Sequence, residues 1–342
     1  MNIVDLFCGC GGFSLGAHLA GLGPRLAIDI DPVLTSSFAL NFPQTRVTLA
    51  DIGKIDGVAI RQNVGGNVDG IFGGPPCQAY SEIGKRDFGD SRRDLLFDFF
   101  RLVAELRPAF FVMENVRGLG YVDARSTLDR AINVVSSRYD ILGPMILDAA
   151  DFGAATRRPR LFVIGLDPSR CDAMSVEDLT ACNKPPATVH EAIRDLRLPL
   201  FLRDEDGFDV WRIAQRGRPS RYARELRSVQ GEFTGNRFTR HTQAVVARFS
   251  GVRPGAVDPV GWYPRLSWDS QCPTLRAGTG ADRGSYQAVR PIHPDEPRVI
   301  TVREAARLQG FPDYFRFHRT TWHSFRMIGN SVSPIISRAL FS

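Results

Sequence analysis

Residues 1 to about 166 alternate short apolar runs with amphipathic stretches, and this alternation limits what the chain can fold into more than any other feature. Runs of strand length lie at 3–7, 26–30, 46–49, 68–72, 109–113, 145–148 and 161–166. Apolar residues at helical spacing fill the gaps at 13–22, 32–41, 94–107 and 124–136. Regular strand–helix alternation predicts an α/β fold, a mostly parallel sheet with helices on both faces. Ligands of such sheets sit outside the carboxyl ends of the strands, so the residues just after each run are where chemistry is expected.

Near Asp167 the pattern breaks, and the chain up to about Glu296 is rich in Arg, Gly, Pro and Asp. Between Val210 and Gly255 ten arginines face two acids, so this stretch carries +8, more than the +6 of the whole chain. Trp211, Tyr222, Phe233 and Phe238 are interleaved with them, a combination that suits nucleic acid. Helical spacing returns at 302–309 and from about Ser333. The apolar fraction of 43% is that of a globular protein, and no apolar run reaches the length of a membrane span. The opening residues already read as a strand, with no basic leader, so the expected location is the cytoplasm. Six cysteines show no metal-ligand spacing, so reduced thiols and no metal are expected.

Three strand ends carry candidate chemistry. After the first run, Cys8-Gly9-Cys10-Gly11-Gly12 forms a glycine-rich turn into a helix, and Asp29 closes the second run 18 residues after Gly11. An acid there can bond ribose hydroxyls, which suits NAD, FAD or S-adenosylmethionine alike. Asp51, after the third run, offers an acceptor for an adenine amino group. Gly73-Gly74-Pro75-Pro76 makes a stiff exit from the fourth run and delivers Cys77 to the sheet edge. Glu114 follows the fifth run, and Arg157-Arg158-Pro159-Arg160 precedes the seventh.

Taken in order, the segments 5–16, 73–81, 114–116, 157–160, 301–312 and 329–334 resemble the DNA cytosine-5 methyltransferases of bacterial restriction-modification systems, over nearly the whole chain. The resemblance implies a Rossmann-like, S-adenosylmethionine-dependent methyltransferase sheet with a smaller target-recognition domain. The catalytic domain would be 1–184 with 319–342, and the recognition domain 185–318. On the family's pattern Cys77 is the nucleophile that adds to C6 of a flipped cytosine, and Glu114 contacts N3 and the exocyclic amine. Arg158 and Arg160 are paired active-site arginines. Phe7, Gly9, Gly11, Asp29, Asp51, Leu95, Asn330 and Val332 fall on positions that hold S-adenosylmethionine. Residues 81–93 resemble a loop that closes over DNA, which brings Ser81 and Arg93 to it. Arg265, Thr274 and Arg276 fall in recognition loops, with the two arginines expected to read bases. The implied partners are double-stranded DNA and a cognate restriction endonuclease, with the enzyme acting as a monomer.

The chain departs from the family's pattern at Thr156, where Gln is usual, and at Ser331 and Ser333, where Ala and Pro are usual. Three rival readings are a tRNA methyltransferase of the same fold, a DNA-binding regulator with a vestigial catalytic lobe, and a dinucleotide oxidoreductase. The long arginine-rich segment argues against the first. Cys77, Glu114 and Arg160 together argue against the other two.

Overall fold

The computed structural model describes residues 1–76, 94–214, 218–278 and 290–342. Among these, seven strands form one sheet: β1 Ile3–Leu6, β2 Leu26–Asp29, β3 Arg46–Leu49, β4 Gly70–Gly73, β5 Phe110–Val116, β6 Asp140–Asp148 and β7 Pro159–Leu166. Their order is β3-β2-β1-β4-β5-β7-β6. β1 to β5 pair in parallel, while β7 runs antiparallel between β5 and β6. The central strands β1 and β4 are buried at every position, which is why they read as unbroken apolar runs. Strand order reverses between β1 and β4, where sheets of this kind open a ligand crevice.

Helices α1 Gly12–Leu19, α2 Pro32–Asn41, α3 Gly57–Val64, α4 Asp94–Leu106 and α5 Val122–Asn133 flank the sheet sequence, with a short α6 at Val176–Thr180. The Asp31 side chain accepts from the Val33 and Leu34 amides and so starts α2, with Pro32 in its first turn. In α4 the buried residues Phe99, Leu102, Val103 and Leu106 follow the i, i+3, i+4, i+7 spacing of one helix face. Phe100 and Phe99 meet Phe111 of β5 edge to face at 5.7 and 6.2 Å.

The chain divides into two compact units: Met1–Asp148, Pro159–Asn183 and Ile336–Ser342 form the first, and Ala149–Arg158 with Lys184–Ile335 form the second. In the first, the Ser337 hydroxyl donates to the Phe13 carbonyl at 2.6 Å, and the Phe341 ring lies 5.2 Å from that of Phe72. The second unit contains an antiparallel sheet of β8 Leu200–Glu205, β9 Phe208–Arg212 and β10 Glu232–Thr234, with β9 central. Its helices are α7 Val189–Ile193, α8 Arg221–Leu226, α9 Gln243–Ser250, α10 Val302–Leu308 and α11 Thr321–Asn330; α12 Pro334–Leu340 then leads into the first unit. Arg303 of α10 is fully buried and donates to the carbonyls of Thr234, Pro312 and Phe315 at 3.0, 2.8 and 2.7 Å.

This division differs from the expected boundaries at 184/185 and 318/319. Segments 149–158 and 319–335 belong with the second unit. Long-range bonds explain the difference. The Arg157 amide donates to the Cys272 carbonyl at 2.9 Å, and the Gln309 side chain donates to the Ile328 and Ser331 carbonyls at 2.8 and 2.9 Å. β5 is also longer than the apolar run predicts. Its parallel pairing with β4 stops at Met113, but antiparallel pairing with β7 carries the strand on to Val116. Among the described residues, no helix is long and apolar enough to cross a membrane.

Candidate active site

Register brings the ends of β1, β4 and β5 into one row, because Leu6 pairs with Gly73 and Gly73 with Met113. The next residues, Phe7, Gly74 and Glu114, therefore share the carboxyl edge of the sheet. Close approach accounts for the glycines: a Cβ on Gly73 would lie 2.1 Å from the Leu6 carbonyl oxygen, and one on Gly74 would lie 3.0 Å from Glu114 Oε2. Asn115 Nδ2 donates to the Pro75 carbonyl at 3.0 Å and ties the proline turn to β5. Cys77 itself lies outside the described residues, as do Ser81, Arg93 and the whole 81–93 segment.

Glu114 and Arg160 form an ion pair, Arg160 Nε to Glu114 Oε1 at 3.1 Å. The pairing follows from the sheet: Arg160 is opposite Val116 and Phe162 is opposite Glu114, so the two side chains are diagonal neighbours on one face of β5 and β7. Burial pushes the Arg160 guanidinium below its ordinary pKa, Glu114 and Asp148 draw it back up, and Arg117 lowers it again. Glu114 is only 9% exposed. A buried carboxyl beside a fixed guanidinium can bond a polar ring edge and hold or release a proton there.

Arg158, expected beside Arg160, has a different place. It belongs to the second unit, is 2% exposed, and gives Nη1 to the Leu275 carbonyl at 3.0 Å and Nη2 to the Gly329 carbonyl at 2.8 Å. This guanidinium holds backbone together. The departures from the family's pattern are occupied in the same way. Thr156 Oγ1 donates to the Cys272 carbonyl at 3.1 Å, Ser331 Oγ to Met327 at 2.7 Å, and Ser333 Oγ to Gln309 at 2.8 Å.

The turn after β1 needs left-handed backbone at Phe7 (φ 63°), Gly9 (φ 54°) and Gly11 (φ 96°). At Gly11 a Cβ would also fall 2.4 Å from the Phe42 ring, so only glycine fits there. The Gly9 and Asp31 amides donate to the two oxygens of Asp29 at 2.9 and 2.8 Å. Burial lifts the Asp29 carboxyl above its ordinary pKa, partly offset by those two amides. Next to it Ile30, one residue past β2, is 68% exposed and offers an apolar platform that no motif marks in the sequence. Asp51 accepts from the Gly53 amide at 3.0 Å and lines a recess with Ala50, Lys54, Ile55, Asp56 and Ala59. Leu95 is half-buried at the start of α4 and packs on the core. This set of a ribose-type acid, an apolar platform and a glycine turn fits an adenosine moiety. Asn330, exposed at the end of α11, and Val332, 6% exposed, lie in the second unit.

Arg265 requires a correction. It is 8% exposed, with Nε donating to the Pro294 carbonyl at 3.0 Å and Nη1 to those of Phe249 and Val252, each at 2.9 Å. With those donors committed to backbone it cannot read bases. Thr274 Oγ1 donates to the Arg157 carbonyl at 2.6 Å, and Arg276 is exposed. The charged stretch is also less free than its count implies. Arg212, Arg221, Arg227, Arg237 and Arg248 have carboxylate partners in Glu232, Glu225, Asp195, Asp204 and Asp258. Phe233 is core at 2% exposed, whereas Phe238 is 48% exposed and stacks on Arg298 at 4.3 Å.

A sheet ordered 3-2-1-4-5-7-6, with the seventh strand reversed and an acid closing β2, is that of the S-adenosylmethionine-dependent methyltransferases. The chain belongs to the C-5 cytosine-specific DNA methylase family, which it matches over residues 1–342. It is 39% identical to the type II methyltransferase M.XorII of Xanthomonas oryzae pv. oryzae, covering 98% of this chain and 82% of that protein. It is 34% identical to M.DdeI of Desulfomicrobium norvegicum, covering 99% and 87%. A prophage-encoded Escherichia coli protein assigned as a DNA modification methyltransferase superposes with a TM-score of 0.85 at 37% identity, covering 100% of this chain and 97% of that one. The S. pombe Dnmt2 methyltransferase shares the fold, with a TM-score of 0.65 at 17% identity over 99% and 97%. The protein is thus a DNA cytosine-5 methyltransferase, and its reaction is the family's: a cysteine thiolate adds to C6 of a flipped cytosine, and C5 takes the methyl group.

Proposed function

We propose that Cys77 supplies that thiolate, that Glu114 and Arg160 act on the cytosine ring, and that the second unit recognises the DNA target. The observation carrying this reading is the Glu114–Arg160 pair, 3.1 Å apart beside Gly74, from which two prolines lead directly to Cys77. Addition of the thiolate to C6 pushes the ring electrons toward N3. A proton or hydrogen bond from Glu114 at N3 relieves that charge, while Arg160 fixes the carboxyl and offers donors to the base carbonyl. The addition makes C5 nucleophilic. Once C5 has taken the methyl group, loss of the C5 proton to a base re-forms the C5–C6 double bond and expels the Cys77 thiolate.

S-adenosylmethionine, when bound, supplies an electrophilic methyl group. Phe7, Gly9 and Gly11 would shape its cradle, Asp29 would accept from the ribose hydroxyls, Asp51 would accept from the adenine amine, and Leu95 would line the site. The substrate proposed is double-stranded DNA, bound by a monomer in the cytoplasm. A cognate restriction endonuclease is the proposed partner, since relatives such as M.XorII are type II methyltransferases.

Bisulfite sequencing of DNA from a host expressing the protein locates the target cytosine. A duplex carrying 5-fluorocytosine at that position should then trap a covalent complex, and Cys77→Ala should lose both trapping and methylation. Glu114→Gln should slow turnover by about 10²- to 10⁴-fold with cofactor affinity by calorimetry unchanged. Turnover in Cys77→Ala would remove the proposed nucleophile.

A further inference from the structure

The hairpin over residues 253–265 in the second unit displays the aromatic side chain of Trp262 to solvent, 71% exposed. Its backbone sits at φ 57°, a left-handed conformation that bulky residues avoid. The turn is over-determined. The Trp262 amide donates to the Asp258 carbonyl at 2.9 Å, the Asp258 amide to the Tyr263 carbonyl at 2.8 Å, and the Gly261 amide to Asp258 Oδ2 at 2.7 Å. A Cβ on Gly261 would lie 2.2 Å from the Tyr263 ring, so only glycine fits before Trp262. Arg248 of α9 pairs with Asp258 at 3.0 Å, and Arg265 locks the base of the hairpin to the carbonyls at the end of α9. Strain held in place by this many bonds, under a large apolar group facing water, marks a contact surface rather than a packing element.

The charge around the turn identifies what it meets. From 233 to 268 the chain has five arginines (237, 240, 248, 253 and 265) and one acid, Asp258, which is fully buried. Arg240 and Arg253 are exposed, and Val257 and Val260 beside the tryptophan are 49% and 65% exposed. Of the five, Arg237 pairs with Asp204, Arg248 with Asp258, and Arg265 is buried on backbone carbonyls, so the exposed cations of this segment are Arg240 and Arg253. An aromatic and aliphatic tip in such a segment suits a polyanion that also offers flat apolar faces, which is a nucleic acid. We infer that Trp262 contacts the DNA substrate, packing its indole on bases or sugars within or beside the target site. The inference rests on the second unit being the one that engages DNA.

Replacing Trp262 by glycine removes the ring and relieves the backbone, so folding is not at risk. Trp262→Gly should match or exceed the parent in melting temperature yet raise KM for DNA on the order of ten- to a hundred-fold. The substrate is plasmid from a methylation-deficient host, with labelled methyl transfer as the readout. Trp262→Phe should recover most of the loss. A triple Arg218→Ala, Arg224→Ala, Arg240→Ala variant separates the two ideas. If the triple variant raises KM and Trp262→Gly does not, the DNA contact is overturned while the second unit stays the DNA-binding one. If neither raises KM, the reading of the second unit fails with it. An unchanged KM together with altered sedimentation of Trp262→Gly would make the turn a protein interface and also overturn the inference.

Discussion

Arg160, Arg158 and Arg265 resemble one another in sequence context but end in different chemical situations. The first faces a carboxylate at the sheet edge, the second holds the Leu275 and Gly329 carbonyls, and the third holds those of Phe249, Val252 and Pro294. Arg265→Ala would leave three buried carbonyls without a charged donor. The expected outcome is destabilisation on the order of 3 kcal/mol, seen as a lower midpoint in urea, with an unchanged pattern of methylated sites. Exposed Arg276 is the contrasting case, and Arg276→Ala should alter site preference on a randomised duplex library without changing the urea midpoint. A shifted site preference in a fully stable Arg265→Ala protein would reverse the correction. Glu114 and the glycine turn were legible in the sequence because strand ends are marked locally, by an apolar run and its breaker. Arg265 was not, because its acceptors come from a helix end and a loop distant in sequence.

Among the elements, α10 shows how a local signal acquires a long-range partner. Thr301 and Glu304 form a capping box at its start, the Glu304 amide donating to Thr301 Oγ1 at 3.1 Å and the Thr301 amide to Glu304 Oε2 at 2.7 Å. The same carboxylate takes two bonds from Arg298, both at 2.9 Å, which no spacing rule predicts. Burial opposes the ionised form of Glu304, but Arg298, with help from His293, outweighs it and holds the carboxyl below its ordinary pKa. An acid with a lowered folded pKa contributes stability above its unfolded value, about 4.3, and loses it as pH falls through the folded value. His293, lowered by burial, adds a separate loss beginning below about pH 6.5. Glu304→Gln should therefore cost roughly 3 kcal/mol at pH 7, and its gap to the parent should narrow below about pH 4.3. Urea unfolding at a series of pH values measures this, and a gap independent of pH would show that the carboxylate is not ionised in the fold. The sheet followed the same logic. Its parallel strands were read from apolar runs, whereas the reversed β7, which lengthens β5 and aligns Arg160 with Glu114, left no mark in periodicity.

For the whole molecule, the chain enters and leaves the second unit twice, at 149–158 and at 184–335. The bonds within that unit decide what a transplant of specificity must carry. Residues 301–335 are tied to what precedes them by side chains: Arg307 to Asp195 at 3.4 Å, Thr301 to Asn236 at 2.9 Å and Glu304 to Arg298. The segment 149–158 is tied in by Arg158 to Leu275 and Gly329, and by Thr274 to Arg157. An exchange of 185–300 alone with a relative of different recognition sequence would pair foreign residues with all of these partners. It is expected to yield little folded protein, because buried Glu304 would lose Arg298, and buried Arg307 would lose Asp195 while keeping Asp313. An exchange of 149–158 together with 184–335 keeps each pair intact and should fold cooperatively. It should also methylate the donor's site, read by bisulfite sequencing of the host genome. A folded chimaera of this longer kind that still methylated the recipient's site would place the reading head in the first unit, and the division of labour proposed between the two units would have to be abandoned.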